Sequence, residues 1–137
     1  MGLVYENITI KNAGDVINVR RGIIGKSDIH QIDVQAIVDT GAEFIVINED
    51  FRKKLQLDIV GKKKVTHAND EPKICQLTEP VEVHWKDRNT VVQAFVLDRV
   101  TEVFLGVIPL EGMNLIVDPL NQRLTGANGD EIIHKIK

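Results

Sequence analysis

Cysteine is almost missing from this chain: Cys75 is the only one in 137 residues, so no disulfide can form within it. That fits a reducing compartment. A nucleophilic thiol would need a base beside it, and no cysteine-protease signature surrounds Cys75, which reads as a semi-buried apolar residue. No apolar run approaches the roughly 18 residues that a membrane-spanning helix needs. The N-terminus has no basic segment leading into an apolar core, so no signal peptide is expected and the cytoplasm is the expected location. Neither sign of charge dominates. A net charge of −3 gives no electrostatic reason to expect nucleic acid as a partner. The basic clusters Arg52-Lys53-Lys54 and Lys62-Lys63-Lys64 have acidic neighbours and read as solvated faces. His30, His67, His84 and His134 are scattered without metal-ligand spacing, and no glycine loop is built to cradle phosphate. Neither a metal nor a cofactor is expected.

What is present is an ordinary globule, 43% apolar and 27% charged, long enough to bury a core. No linker, repeat or low-complexity stretch divides it, so residues 1–137 are expected to form a single domain. Val4 to Ile10 alternates and predicts a strand. Asn12 to Asp15 reads as a turn, Val16 to Arg20 as a short strand, and Gly22 to Asp28 as a loop. Ile29 to Val38 alternates again, with Ile32, Val34 and Ala36 on one face, and Phe44 to Ile47 is an apolar strand. Asn48 is a good N-cap, with acids in the first turn and bases in the last, so residues 49–55 predict a short helix. Lys64 to Ala68 and Lys73 to Leu77 predict a hairpin with a polar tip at residues 69–72. Val81 to Trp85 and Thr90 to Leu97 predict another, turning at Asp87 to Asn89. Val103 to Leu105 is a short strand ended by Gly106, and Pro109 suits the start of a helical turn. Leu115 to Val117 reads as a buried strand, Asp118-Pro119 as a turn, and Leu124 onward as a last hairpin. Many short strands with one or two short helices predict a mainly β fold, closed into a barrel or sandwiched.

The informative segment is Ala36-Ile37-Val38-Asp39-Thr40-Gly41-Ala42: an aspartate at the end of an apolar strand, then Thr-Gly-Ala. It resembles the active-site loop of retroviral-type aspartic proteases, the retropepsins. Phe104-Leu105-Gly106, followed by a short helix and the strand Leu115 to Val117, resembles that family's second signature. Val65 to Asn69 resembles the strand entering its flap hairpin. The resemblance spans roughly residues 30–120 and is nearest to small stand-alone prokaryotic members.

It implies a closed, barrel-like retropepsin fold and a peptide or protein substrate. Amide hydrolysis without metal or covalent intermediate needs a base for water and an acid for the leaving group, which two carboxyls sharing a proton provide. One Asp-Thr-Gly per chain then implies a homodimer, with Asp39 beside its copy on a twofold axis. Asp39, Thr40 and Gly41 are the implied catalytic residues. Thr40 would bond across the interface, and Gly41 would bring its amide to the carboxylate. Ala42 would line the cleft, and Ala68, Asn69 and Asp70 of the flap would bind substrate. Gly106 would let its strand pass close behind the Asp39 loop. Retroviral enzymes follow Thr-Gly-Ala with two acids and the downstream glycine with arginine, whereas Glu43-Phe44 and Val107 stand here. The proposed flap tip also lacks glycine. The expected activity is aspartic endopeptidase. The alternatives are a weak or inactive peptide-binding module on the same fold, and a small β-barrel adaptor in which Asp39 only makes a turn.

Overall fold

Alternation sets the frame of the fold from its first strand: Ile8, Ile10 and Asn12 are buried, while Thr9 and Lys11 between them keep partial access to water. The computed structural model describes residues 3–66, 71–98 and 100–136. Its strands are β1 (Val4–Asn12), β2 (Gln31–Val38), β3 (Ile45–Ile47), β4 (Ile59–Val65), β5 (Lys73–Thr78), β6 (Val81–Trp85), β7 (Arg88–Val92), β8 (Ala94–Val96), β9 (Val103–Leu105), β10 (Leu115–Asp118) and β11 (Arg123–Gly126). Among the described residues three α-helices, α1 (Ala13–Arg20), α2 (Glu49–Lys54) and α3 (Val107–Gly112), and a 3-10 turn at Lys26–Asp28 interrupt them. Nine strands form one sheet in the order β4-β5-β8-β3-β9-β2-β1-β6-β7, and β10 and β11 form a separate ribbon. The fold is mainly β, as expected. Among the described residues no ladder joins β4 to β7, so the sheet stays open at these edges instead of closing into the expected barrel.

Two elements depart from the sequence-based expectation. Residues 13–20 are helix α1, not a turn and a strand. The Asn12 side chain accepts a hydrogen bond from the Asp15 amide at 3.1 Å, which satisfies one of the helix's free N–H groups. Residues 90–97 are not one strand. β7 pairs with β6, the chain breaks at Gln93, and β8 then runs parallel to β3 in another part of the sheet.

The three short central strands are apolar throughout because both faces of the sheet are covered here. Ile45 and Ile47 of β3, Ala94 and Val96 of β8, and Val103 and Leu105 of β9 enter the main core with Ile8, Ile10, Val81, Val83 and Leu115. The residues between them, Val46, Phe95 and Phe104, face the other way. There they join Cys75, Leu77, Phe44, Val65 and Leu97 in a second, smaller apolar cluster.

Polar ties fix the periphery. Buried Arg88 donates to the carbonyls of Met113 and Asn114, 3.1 and 2.8 Å away, and to that of Gly129 at 2.6 Å. This caps the C-terminal end of α3 and holds the following chain against it. Glu6 accepts from the Trp85 indole at 2.9 Å and from the Leu124 amide at 3.1 Å, fastening the β10–β11 ribbon to β1.

Candidate active site

Asp39 is the first residue beyond β2, where the chain must turn to reach β3. β9 lies between these two strands, parallel to β2 and antiparallel to β3. The loop joining β2 to β3 therefore bends around the end of β9. Three backbone bonds pin it there and a fourth closes the loop on itself. The Asp39 amide donates to the Leu105 carbonyl at 2.9 Å, and the Ala42 amide to the Asp39 carbonyl at 3.1 Å. From the start of α3, Val107 N donates to the Ala42 carbonyl at 2.9 Å and Ile108 N to that of Glu43 at 2.8 Å. The last two tie Ala42 and Glu43, just before Phe44, to Val107 and Ile108. Main-chain bonds thus brace the loop against the start of α3.

Within the loop, the Gly41 amide donates to Asp39 Oδ1 at 2.9 Å, which orients the carboxylate. A Cβ at residue 41 would approach that same oxygen to 3.2 Å, so a side chain there would press on it. Gly106 answers the packing expectation directly: a Cβ there would lie 2.6 Å from the Ala42 carbonyl oxygen and closer still to that of Phe44. Asp39 and Ala42 are half-buried, while Thr40 and Gly41 are exposed at the loop's tip.

A cleft of about 320 Å³ opens beside this loop. Asp39, Gly41, Ala42, Glu43 and Phe44 form one side, and Lys63 to Thr66 of the β4 strand and its exit form the other. Its floor is Val46, Cys75, Phe95 and Leu97, members of the smaller apolar cluster. Phe44 and Phe95 meet edge-to-face with ring centroids 4.8 Å apart. The structure thus brings Asp39, Gly41 and Ala42 to one cleft, with Thr40 on the adjoining tip. Ala68, Asn69 and Asp70, the expected flap contacts, lie outside the described residues, as does His67.

Sequence reasoning missed Phe95, Lys63, Lys64 and Cys75 as cleft residues. Cys75 is buried, which pushes its thiol pKa up while the charge of Lys73 pulls it partly back. That is the opposite of an activated nucleophile. Asp118 bonds the Asn121 amide and side chain at 3.2 and 2.8 Å. Those bonds, led by the side-chain one, hold its carboxyl below the usual range. It is the last residue of β10, and its side chain caps the turn that follows, one place later than the expected Asp118-Pro119 turn. His30 and His84 pair with Asp15 and Glu82 on the surface.

A family model described as gag-polyprotein putative aspartyl protease matches residues 25–112. No curated protein matches the chain. Among solved structures, the chain is similar to a retropepsin-like aspartic protease from Rickettsia conorii. The identity is 19%, the TM-score is 0.57, and the match covers 85% of this chain and 77% of that one. It is also similar to the retroviral protease-like domain of Ddi1 from Leishmania major, at 16% identity with a TM-score of 0.57, covering 96% of this chain and 91% of that one. At such identities the structural likeness concerns the fold, and it agrees with the resemblance read from Asp39-Thr40-Gly41-Ala42 and Phe104-Leu105-Gly106. No helix among the described residues is long and apolar enough to cross a membrane.

Proposed function

The chain belongs to the gag-polyprotein putative aspartyl protease family, whose model spans most of it, and from that premise we propose a homodimeric aspartic endopeptidase. Residues 1–137 would act as one protease domain in the cytoplasm, where a chain with a single cysteine has no disulfide to lose. The observation that carries the reading is the Asp39 loop. It is clamped to β9 and α3, its carboxylate is oriented by the Gly41 amide, and it opens onto a cleft with an apolar floor.

Asp39 from each of two chains supplies the pair of carboxyls, which hold one proton between them because two like charges so close cannot both ionise. The ionised carboxylate takes a proton from a water as its oxygen attacks the peptide carbonyl carbon. The protonated partner gives its proton to the carbonyl oxygen, leaving a gem-diol and one proton still on the pair. The ionised carboxylate then takes a proton from a diol hydroxyl, while the other protonates the amide nitrogen. The C–N bond breaks, releasing acid and amine. No cofactor enters. Thr40, exposed at the tip, would bond to the second chain, and Ala42 and the flap residues Ala68, Asn69 and Asp70 are assigned to the substrate.

Asp39→Asn is nearly isosteric and removes both proton acceptance and donation. It is expected to abolish cleavage of a mixed peptide library while sedimentation and circular dichroism stay unchanged. Cleavage at the wild-type rate would place the chemistry elsewhere. The non-hydrolytic peptide-binding module draws its support from Phe44 and Val107, which stand where retroviral enzymes carry charged residues. Turnover by the wild-type protein excludes it.

A further inference from the structure

One wall of the cleft carries charge that the hydrolysis above does not use. Lys63 and Lys64 of β4 line the cleft together with Asp39. The β4–β5 hairpin adds Lys62 and Lys73, against one acid among its described residues, Glu71. Lys63 pairs across the ladder with Cys75, so both side chains stand on the same face of the hairpin. Cys75 belongs to the cleft floor, which places Lys63 on the cleft side of the wall. The Lys63 ammonium lies 6.0 Å from the centroid of the Phe44 ring. Among the described residues no carboxylate comes within ion-pair distance of Lys63 or Lys64. Glu43 is exposed at the opposite side of the cleft.

A substrate side chain entering here meets apolar surface first, from Val46, Phe95 and Leu97, and an ammonium at the wall. An aliphatic stem ending in a carboxylate fits both. Burying the stem is favourable, and partial desolvation strengthens the charge-assisted contact at its end. We propose that this cleft selects peptides with a glutamate beside the scissile bond, Lys63 being the specificity-determining residue; Lys64, opposite the exposed Ile74, faces the other side of the hairpin. The inference rests on the reading of the Asp39 site as peptide-hydrolysing and names its substrate class.

The test compares matched quenched-fluorescence peptides carrying Glu, its neutral isostere Gln, or Leu at each position flanking the scissile bond. The wild-type protein should favour Glu over Gln by roughly three- to tenfold in kcat/KM at low salt, the scale of a partly exposed ion pair. The preference should shrink as salt screens it. Lys63→Met should remove the preference, and Lys63→Glu should turn it toward a Lys-containing peptide. Equal cleavage of the Glu and Gln peptides by wild type, or a preference that survives in both variants, would overturn the proposal. Fluorescence anisotropy with the Asp39→Asn protein reads binding without turnover. If wild type cleaves nothing, a Lys63-dependent preference for the Glu peptide in that assay upholds the pocket assignment while the hydrolytic reading fails. Indifferent binding there rejects the pocket assignment.

Discussion

At residue 106 the main chain runs against the carbonyls of Ala42 and Phe44, backbone atoms that cannot rotate out of the way of a methyl group. Gly106→Ala must therefore push the Asp39 loop off β9 and the start of α3, stretching the bonds from Val107 and Ile108. Overpacking of this kind costs about 1–3 kcal/mol, and displacing reacting groups by about 1 Å can lower a rate on the order of a hundredfold. The variant should lose stability in a urea melt and lose proportionally more of its kcat/KM. A wild-type midpoint and rate would mean that the close approach does not position Asp39. Asp39 and Gly106 were legible because each sits in a short signature whose residues are neighbours in sequence. Lys63 and Phe95 were not. They reach the cleft through cross-strand register, and a lysine triplet beside acidic residues has the same pattern whether it faces water or a substrate. Phe95 was hidden differently, since a strand buried on both faces shows no alternation to say which face holds the cleft.

Among the elements, α2 was readable and α1 was not, although both start on an asparagine cap. Asn48 accepts from the Phe51 amide at 2.8 Å and is followed by charged residues that favour helix, with acids first and bases last. Asn12 is followed by Ala-Gly-Asp and then by Val16, Ile17 and Val19, whose β-branched side chains point by propensity to a strand. Tertiary bonds decide it. Beyond capping α1, Asn12 is buried and its side-chain amide donates to the carbonyls of Leu55 and Gln56 at 2.8 and 3.2 Å, joining α1 to the end of α2. Asn12→Ala should cost about 1–3 kcal/mol, since it removes a cap and leaves buried carbonyls without a donor. Asn12→Asp keeps the acceptor for Asp15 but turns a buried carboxylate oxygen toward the Leu55 and Gln56 carbonyls, and should fall at least as low as the alanine variant. Chemical denaturation reads both, and an unchanged midpoint for the alanine variant would contradict this role. The split of residues 88–96 into β7 and β8 has the same origin: alternation reports that a segment is extended, not which neighbours it takes.

For the molecule as a whole, the mainly β class followed from the density of short strands and turns, but closure did not, because β4 and β7 stay unpaired edges among the described residues. The register Val4 opposite Val38 sets Leu3 next to the Asp39 loop, and Leu3 and Tyr5 are 59% and 48% exposed. At the other end, the Gly129 carbonyl is held by Arg88 and the Ile133 amide by Asn114. Ile132, Ile133 and Ile136 nevertheless remain 51%, 51% and 101% exposed. Leu3 beside the Asp39 loop, and separately the apolar C-terminal segment, are surface of the kind a second chain would cover. If the active site needs Asp39 twice, activity and association must share one dissociation constant. Sedimentation at micromolar protein should give twice the single-chain mass of 15.4 kDa, and the melting temperature should rise with concentration, as mass action requires of a dimer. Cleavage per chain should fall on dilution at the same concentration at which the mass halves. Truncation before Ile132 should move both transitions together to higher concentration. A monomer in sedimentation whose cleavage per chain stays constant on dilution would refute the two-chain site, because one carboxylate cannot serve as base and acid in the same step.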